Sequence, residues 1–380
     1  MKKIRCPYCG FDCIKYGKTR IGRQRWRCKE CHQVFTKPYD HTNSDFRLFL
    51  QWLFSKNVQK DMPGAGRNFR RKTAKFWELW PLPPKIETQS SIVFIDGIHL
   101  GRKACILICC DEKHVLGWYV CRAERARAWG ALMSRIATPT VVVSDGGPGF
   151  RKALKKVWPK AKLQRCIFHA FQQVKRYTTT RPKTIAGAEL YGLSNDLFKV
   201  NSTTAALHWI RSLTDWKIKH KAFLDEVSYD EYGKPRLKHE RLLKAEQSLL
   251  VLIKSGTLFT YLDDTLDFNC PSTNNRIEGG INAQLRAMLR NHRGMNIERR
   301  IKAVFWWCYM HSPKPLSPAE ILEVMPTNKS ISKLYDTMNS REKLEDSIPT
   351  WGDAIVWSDF HFSDPYPNYL WIKLPTQNVL

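Results

Sequence analysis

Two apolar stretches decide the fold: Ser91-Ile-Val-Phe-Ile-Asp96 and Thr140-Val-Val-Val-Ser-Asp145. Continuous runs of β-branched and apolar residues predict central strands that are covered on both faces. Ligands of such sheets gather at the carboxyl ends of the strands, so two neighbouring parallel strands would place Asp96 and Asp145 at one edge. Two carboxylates held close together repel unless a cation lies between them, and oxygen ligands favour Mg²⁺ or Mn²⁺. The alternative for either aspartate alone is that it caps the turn after its strand.

The segment between these strands predicts more strands and a helix. Lys103–Cys110 and Val115–Arg122 have strand patterns and form a hairpin around Asp111–His114, and Glu124–Ile136 is predicted to be helical. A helix around Phe150–Val157 follows the second apolar run. The order of strand, strand, strand, helix and strand indicates the start of an RNase H-like fold of the α/β class, with a mixed five-stranded sheet. Four cysteines here are predicted to be buried strand residues rather than ligands, because no C-x-x-C pair frames them: Cys105, Cys109, Cys110 and Cys121.

A third carboxylate is expected for a magnesium pair, and the candidate is Glu278 in Cys270-Pro-Ser-Thr-Asn-Asn-Arg-Ile-Glu-Gly-Gly-Ile-Asn282. Asn274 or Asn275 can cap a helix that carries Glu278 in its first turns. The basic residues Arg276, Arg286 and Arg290 make this helix suitable for holding DNA. Three acids upstream are simpler to interpret as loop residues, although spacing alone leaves them as rivals: Asp263, Asp264 and Asp267.

A strand passes into a helix at Leu163–Phe171, which contains Cys166 and His169. Residues three apart share a helix face, but two ligands alone make a poor zinc site. The pair is therefore predicted to be accessory, with His169 orienting a metal ligand or touching a phosphate. The alternative is a structural histidine with satisfied hydrogen bonds.

The long interval between Asp145 and Glu278 is predicted to hold an all-helical insertion at residues 179–269. Helical periodicity covers Ala205–Leu213, Trp216–Val227 and Arg236–Lys254, with Gly256 as a stop signal. The core then consists of residues 89–178 and a final helical part at residues 270–311.

Residues 1–36 have the pattern of a zinc ribbon. Cys6-Pro-Tyr-Cys9 and Cys28-Lys-Glu-Cys31 are two C-x-x-C pairs that together predict a tetrahedral zinc site, while Cys13 lies outside the pattern. His32 is a weaker alternative ligand. Basic residues interleaved with Tyr16 and Trp26 suit contact with phosphate and bases, the alternative being a solvated basic face. The predicted DNA-contacting residues of the ribbon are Lys18, Arg20, Arg23, Arg25 and Arg27.

Residues 37–88 are predicted to form a helix-turn-helix-like segment and a linker. Asp45–Phe54 has a broad apolar face, Pro63 and glycines break the chain, and Arg67–Trp80 is a basic helix. The linker contains Pro81, Pro83 and Pro84. The predicted DNA contacts of this segment are Arg67, Arg70, Arg71 and Lys72.

Composition and charge agree with a nucleic-acid partner. The 380 residues include 62 Lys and Arg against 35 Asp and Glu, a net charge of +27. No apolar run approaches the roughly 20 residues of a spanning helix, and the N-terminus lacks a secretory pattern. We therefore expect no membrane association and a reducing, cytoplasmic location, in which the 12 cysteines are metal ligands or buried residues. The aromatic-rich residues 312–380 could pack on the core or bind a partner subunit, and packing is the favoured interpretation.

Four blocks resemble the signature blocks of Mutator-like DDE transposases, a group that includes many bacterial insertion-sequence transposases: IVFID, VVVSDGGPGF, LQRCIFHAF and TNNRIEGGINAQLR. The resemblance implies that Asp96, Asp145 and Glu278 are the metal-binding triad, with Cys166 and His169 as the accessory pair. It also implies double-stranded DNA substrates, namely terminal inverted repeats and target DNA, a homodimer and association with the bacterial nucleoid. The sequence departs from the family pattern after Asp96, where Gly-Ile-His99 replaces a small-Thr-Tyr type of sequence. The N-terminal ribbon resembles that of several insertion-sequence transposases.

The sequence thus predicts a transposase that cleaves transposon ends and transfers strands with Mg²⁺ or Mn²⁺ in a triad of acids. A catalytically silent DNA-binding regulator derived from a transposase would explain the charge and the cysteines equally well. It would not explain acids at the ends of two central strands and a third in a basic helix. A stand-alone RNase H-like nuclease is a further alternative.

Overall fold

The computed structural model describes residues 4–36 and 41–333. The chain divides into two compact units, with the boundary between Leu50 and Gln51. The predicted packing of the aromatic-rich C-terminal region rests partly on residues outside the described part of the chain, namely Trp351, Trp357, Phe360, Tyr366, Tyr369 and Trp371.

The first unit contains a three-stranded antiparallel sheet in the order β1-β2-β3. Its strands are β1 Cys13–Lys18, β2 Gln24–Cys28 and β3 Val34–Thr36. Gly22 has a φ of 79°, which glycine adopts without strain, in the turn between β1 and β2. Helix α1, Thr42–Phe54, begins in this unit and ends in the second. So small a sheet buries little apolar area, and we therefore expect metal ligation to stabilise this unit.

The second unit begins with the end of α1 and with α2, Ala65–Thr73, which continues as a 3₁₀ turn at Ala74–Glu78. The Phe69 ring lies 5.4 Å from that of Trp52, and the His292 ring lies 4.4 Å from Trp52. The predicted basic helix therefore ends at Thr73, earlier than expected, because its aromatic residues pack inward. Its relation to a helix-turn-helix stays a prediction.

A five-stranded sheet forms the centre of the second unit, in the order β6-β5-β4-β7-β8. The strands are β4 Ile92–Leu100, β5 Ala104–Cys110, β6 Val115–Cys121, β7 Val141–Ser144 and β8 Lys162–Arg165. β4, β5 and β6 pair antiparallel, whereas β4–β7 and β7–β8 pair parallel. Every residue of β5, β6 and β7 is buried, as expected of a sheet covered on both faces. The predicted hairpin, the mixed sheet and the burial of the four strand cysteines are confirmed.

One prediction about β4 is wrong: the strand does not end at Asp96 but continues to Leu100. Its parallel pairing with β7 stops at Phe94, while its antiparallel pairing with β5 extends to Leu100 opposite Ala104. Asp96 therefore lies inside a strand whose pairing on one side has ended.

Helices cover both faces of the sheet. After β6 come α3 Ala126–Met133, α4 Pro148–Val157 and α5 Ile167–Thr178. A side chain at Gly117 would meet Leu132 and Ile136 at 3.1 Å, so this residue of β6 faces α3. The adjacent residue, Trp118, contacts the ring of Phe305 on the other face.

The insertion consists of α6 Ile185–Asp196, α7 Thr203–Lys219, α8 Lys221–Leu224 and α9 Glu240–Lys254, together with strands β9 Val227–Tyr229 and β10 Pro235–Leu237. The prediction of an all-helical insertion is therefore wrong. Asp230 accepts hydrogen bonds from the backbone N–H groups of Tyr232 and Lys234, and Gly233 adopts a φ of 73°, so a tight turn pairs the two strands. The helices bury Trp209, Leu213 and Trp216 against one another and against α5.

The chain then returns to the sheet through a π-helix at Arg276–Asn282, followed by α10 Ala283–Asn291, α11 Ile297–Met310 and α12 Pro318–Val324. No side-chain cap of Asn275 begins this helix, and Asn274 bonds elsewhere, so the predicted cap is wrong. The described part of the C-terminal region packs on the core, because Trp80 donates hydrogen bonds to Pro326 and Asn328. Within residues 4–36 and 41–333, none of the helices combines the length and apolar character needed to cross a bilayer.

Helix α4 lies tightly against the backbone at Glu124, and Gly149 makes this approach possible. A Cβ atom at Gly149 would lie 2.1 Å from the carbonyl oxygen of Glu124, whereas a Cβ at Gly192 in α6 would meet nothing within 4 Å. We expect Gly149→Ala to lower the free energy of unfolding by about 1 to 3 kcal/mol. Gly192→Ala is the matched control and should raise it by about 0.5 to 1 kcal/mol, since alanine favours helices. Urea unfolding followed by tryptophan fluorescence measures both, and equal effects would contradict the close contact.

Candidate active site and zinc centre

The parallel pairing of β4 with β7 aligns the first two acids. Phe94 pairs with Val143, an offset of 143 − 94 = 49 residues. Asp96 and Asp145 have the same offset, 145 − 96 = 49, and each follows the last β4–β7 pair by two residues, Asp96 within β4 and Asp145 directly after β7. The backbone N–H of Gly147 donates to Asp145 Oδ1 at 3.1 Å, which fixes this carboxylate just beyond β7.

Glu278 lies in the π-helix and faces the beginning of α5. Its Oε1 is 3.3 Å from His169 Nδ1, and the ligand atoms of Cys166, His169 and Glu278 all lie within 4.8 Å of one another. Cys166 precedes the helix as its N-cap residue, and its Sγ accepts a hydrogen bond from the backbone N–H of Asn274 at 3.2 Å. The predicted accessory pair thus contacts the segment that carries the third acid.

Two asparagines join this segment to β4 on either side of Glu278. The Asn274 side-chain amide donates to the carbonyl oxygen of Ile95 at 3.0 Å, and that of Asn282 donates to Asp96 Oδ2 at 2.7 Å. Both asparagines are fully buried. Sequence reasoning missed Asn282, although polar residues recur every four positions at 274, 278 and 282 between buried isoleucines. Insertion of a π-helix at this point changes which side chains face β4, as π-helical turns often do at functional sites.

The three acids are close enough for their negative charges to raise one another's pKa values, as seen for Asp96 and Glu278. Burial is the largest cause that raises the pKa of Asp96 to about 7; the charges of Glu278, Asp145 and Glu124 also raise it, and the N–H of Gly97 opposes the shift. Burial also raises the pKa of Glu278, with His169 opposing this shift and Asp145 adding to it. Negative charge is therefore concentrated where a cation would relieve it.

Several buried polar side-chain atoms near Asp96 and Glu278 have no hydrogen-bond partner. Within the described ranges, they include Asn274 Oδ1 and Asn282 Oδ1, while Glu278 Oε1 has only the ion-pair contact with His169. Unsatisfied buried oxygens are costly unless an ion or water meets them, and oxygen ligands suit Mg²⁺. Asp96 and Asp145 belong to none of the side-chain clusters whose ligand atoms lie within 4.8 Å of one another. The residues fit magnesium by their chemistry and shared charge.

The rival acids upstream of Glu278 take other positions. Asp263 bonds to Lys162 Nζ at 2.6 Å and to Thr265, and the Lys162 hydrogen bond lowers its pKa to about 2. It therefore serves as a structural ion pair at β8. Asp264 and Asp267 are exposed. The sequence analysis did not single out Glu124, although its negative charge contributes to the raised pKa of Asp96.

The four ribbon cysteines converge as predicted. Cys6 Sγ is 3.6 Å from Cys31 Sγ, Cys9 Sγ is 3.3 Å from Cys28 Sγ, and all four sulfurs lie within 4.8 Å of one another. Zn–S bonds of about 2.3 Å in a tetrahedron separate the sulfurs by roughly 3.8 Å, close to these distances. Backbone N–H groups of Tyr8 and Glu30 point at Cys6 and Cys28. The cluster can hold zinc.

The predicted DNA-contacting residues are largely accessible. The Arg25 and Arg27 guanidinium groups lie over the Tyr16 ring at 5.5 and 5.4 Å, so this aromatic ring holds two cations on the ribbon. Arg276 is partly engaged, because its Nε donates to the carbonyl oxygen of Glu112. The exposed members of the set are Lys18, Arg20, Arg23, Arg67, Arg70, Arg71, Arg286 and Arg290, and Lys72 is half-buried. Their contact with DNA stays a prediction.

The raised pKa of Asp96 predicts a pH-dependent stability. The Asp96 carboxyl group binds its proton more tightly in the folded chain than in the unfolded chain. Protonation of Asp96 therefore stabilises the fold at acidic pH, and this contribution is lost as pH rises through about 7. In buffer without added divalent cations, we expect Asp96→Asn to match wild type at pH 4 and to be more stable by about 2 to 4 kcal/mol at pH 8. Denaturant unfolding across this range is the measurement. Exposed Asp267→Asn is the control, and an Asp96→Asn effect equal at both pH values would contradict the burial of this charge.

The ribbon geometry predicts one zinc ion held by four named cysteines. We expect Cys9→Ser and Cys31→Ser each to lose one zinc per chain, because three thiolates hold the ion less tightly. Cys13→Ser is the matched control, since this cysteine lies in the same unit but outside the cluster. Elemental analysis of purified protein measures the loss. Unchanged zinc in both variants would remove the ribbon site.

Comparison with known proteins supports the resemblance found in the sequence. The MULE transposase domain matches residues 101–173, which include Asp145, Cys166 and His169. The transposase for insertion sequence element IS905 of Lactococcus lactis subsp. lactis (strain IL1403) is 23% identical over 159 residues, covering 37% of this chain and 40% of the relative. The transposase for insertion sequence element IS6120 of Mycolicibacterium smegmatis is 30% identical over 92 residues, covering 20% of this chain and 28% of the relative. The chain thus spans less than half the length of either relative. Over these parts of its length, the chain is therefore similar to the MULE transposase domain and to two insertion-sequence transposases.

Proposed function

We propose that this chain is a DNA transposase that cleaves the ends of its element and joins them to target DNA by a DDE mechanism. The observation that carries the proposal is the parallel pairing of β4 with β7 just before Asp96 and Asp145, together with two asparagine bonds that attach the Glu278 segment to β4. The kinship with insertion-sequence transposases supports the same reaction class.

The sheet supports an RNase H-like core as the scaffold of this chemistry. An antiparallel hairpin lies on one side of β4 and two parallel strands lie on the other, as the predicted strand order requires. The insertion enters after α5 and returns at the π-helix, so it separates Glu278 from the aspartates in sequence but not in space. Burial of Trp209 and Trp216 against α5 joins the insertion to the helix that carries His169.

In this mechanism Asp96, Asp145 and Glu278 would hold Mg²⁺ or Mn²⁺. When bound, such ions lower the pKa of an attacking water or DNA 3′-hydroxyl and stabilise the charge on the leaving oxygen. The chain's own contribution is positioning: Asn282 orients Asp96, the Gly147 N–H orients Asp145, and His169 lies against Glu278. Hydrolysis at the element's end frees a 3′-hydroxyl, which then attacks a phosphodiester of the target; the new P–O bond replaces the bond to the target strand's 3′-oxygen, which leaves as a 3′-hydroxyl.

The DNA partner follows from charge and from exposed cations. The chain carries +27 net charge, and phosphate contacts by Lys and Arg supply most non-specific affinity. We assign terminal-repeat binding to the ribbon and to the exposed arginines of α2, and we assign DNA near the acids to Arg286 and Arg290 on α10. Both DNA ends must be held together for joining, which a homodimer would achieve.

The triad predicts the outcome of substitution in each acid. We expect Asp96→Asn, Asp145→Asn and Glu278→Gln each to lower Mg²⁺-dependent nicking and joining by about 10²-fold or more while DNA binding is retained. The substrate is a labelled duplex carrying the inverted repeats that bound the gene, with a plasmid target. Sequencing gels and plasmid joining assays measure the two steps.

Two exposed acids provide matched controls, because Asp264→Asn and Asp267→Asn remove a carboxylate from the loop upstream of Glu278 without touching β4. Both should retain wild-type activity. Wild-type joining by any triad variant would refute the triad. Repeat binding without cleavage by the wild-type chain would favour the silent regulator, and cleavage without joining would favour a stand-alone nuclease.

A further inference from the structure

A line of chemically reactive side chains crosses the sheet beyond Asp96. His99 on β4 pairs directly with Cys105 on β5, and Cys105 pairs directly with Cys121 on β6. Residues directly opposite one another on neighbouring strands project from the same face of a sheet. An imidazole and two thiols therefore lie side by side on one face.

The segment before α3 adds a carboxylate to this line. Glu124 Oε1 lies 3.0 Å from His99 Nε2, and Cys105 Sγ lies 3.9 Å from each of these two atoms. Gly97 leaves the space in which they meet, because a Cβ atom there would lie 2.6 Å from Glu124 Oε1 and 3.0 Å from Cys105 Sγ. Any other residue at position 97 would push the carboxylate and the thiol apart.

These separations match those around one tetrahedral cation. Zinc bonds of about 2.0 to 2.3 Å place nitrogen, oxygen and sulfur ligands roughly 3.3 to 3.6 Å apart, within a few tenths of an ångström of the observed distances. Cys105 is fully buried, the Glu124 side chain is 30% exposed and the His99 side chain is 59% exposed. The site is thus anchored in the sheet and open to solvent on the histidine side.

We propose that His99, Cys105 and Glu124 bind a zinc-type divalent cation, at a site separate from both the cysteine ribbon and the three acids. A thiolate and an imidazole favour zinc over magnesium, which prefers oxygen ligands. Binding releases the thiol proton of Cys105 to solvent, since the thiolate is the ligand. Glu124 follows β6 in sequence, and the cation would connect it to Cys105 on the neighbouring strand β5 and to His99 on the next strand, β4.

Zinc stoichiometry tests this site on the full-length chain. After equilibration with ZnCl₂ and gel filtration, elemental analysis should find two zinc ions per wild-type chain. His99→Ala and Glu124→Gln should each retain one, the ribbon variant Cys31→Ser should retain one, and Cys31→Ser combined with His99→Ala should retain none. The matched control is His208→Ala, which removes another exposed histidine and should retain two.

Folding of each variant is checked by circular dichroism, and His99 is exposed enough that its truncation leaves the core intact. Zinc content of His99→Ala and Glu124→Gln equal to that of wild type would overturn the proposal, whether that content is one ion or two. The triad is tested independently, because Glu278→Gln should lose DNA cleavage and still hold two zinc ions.

Discussion

The parallel pairing of β4 with β7 is the constraint on which the rest of the site depends. It brings the chain two residues before Asp96 beside the chain two residues before Asp145, although 48 residues lie between the two acids in sequence. The same pairing ends at Phe94, so β7 gives way to a turn while β4 continues alongside β5. The gap that opens beside Asp96 is where the π-helix and its acid approach the sheet.

Holding like charges together costs free energy, and the surrounding residues are arranged to meet that cost. Buried amides of Asn274 and Asn282 attach the Glu278 segment to β4, and Cys166 accepts the backbone N–H of Asn274 from the other side. These bonds hold the segment against β4. The side-chain oxygens of Asn274 and Asn282 have no hydrogen-bond partner within the described ranges and are available to a divalent cation or to its water ligands.

If the proposed cation binds at Glu124, one sheet would support two different kinds of metal chemistry. The acids around Asp96 offer oxygen ligands, whereas His99 and Cys105, three and nine residues further along the chain, offer nitrogen and sulfur. The two sites would select different metals because thiolate and imidazole ligands favour zinc, whereas carboxylate oxygens favour magnesium. Glu124 is close enough to Asp96 for its charge to be felt there, so occupancy of the second site would alter the electrostatics of the first.

Much of this protein follows from the sequence alone. Apolar runs predicted the central strands, C-x-x-C spacing predicted the ribbon cluster, and the motif blocks gave the two aspartates, Glu278, Cys166 and His169 as candidate site residues. Such features are local: periodicity reports which residues are buried, and short spacing reports which ligands share a turn. Only the tertiary structure decided that β4 continues past Asp96, that a π-helix replaces a capped α-helix, that β9 and β10 interrupt the insertion, and that Asn282 bonds to Asp96. Each of these depends on a partner distant in the chain or on a competition between neighbouring backbone hydrogen bonds. Asn282 and Asp96, for example, are 186 residues apart in sequence. A local pattern cannot specify such partners, because many packings bury the same apolar residues and only one satisfies the polar groups among them.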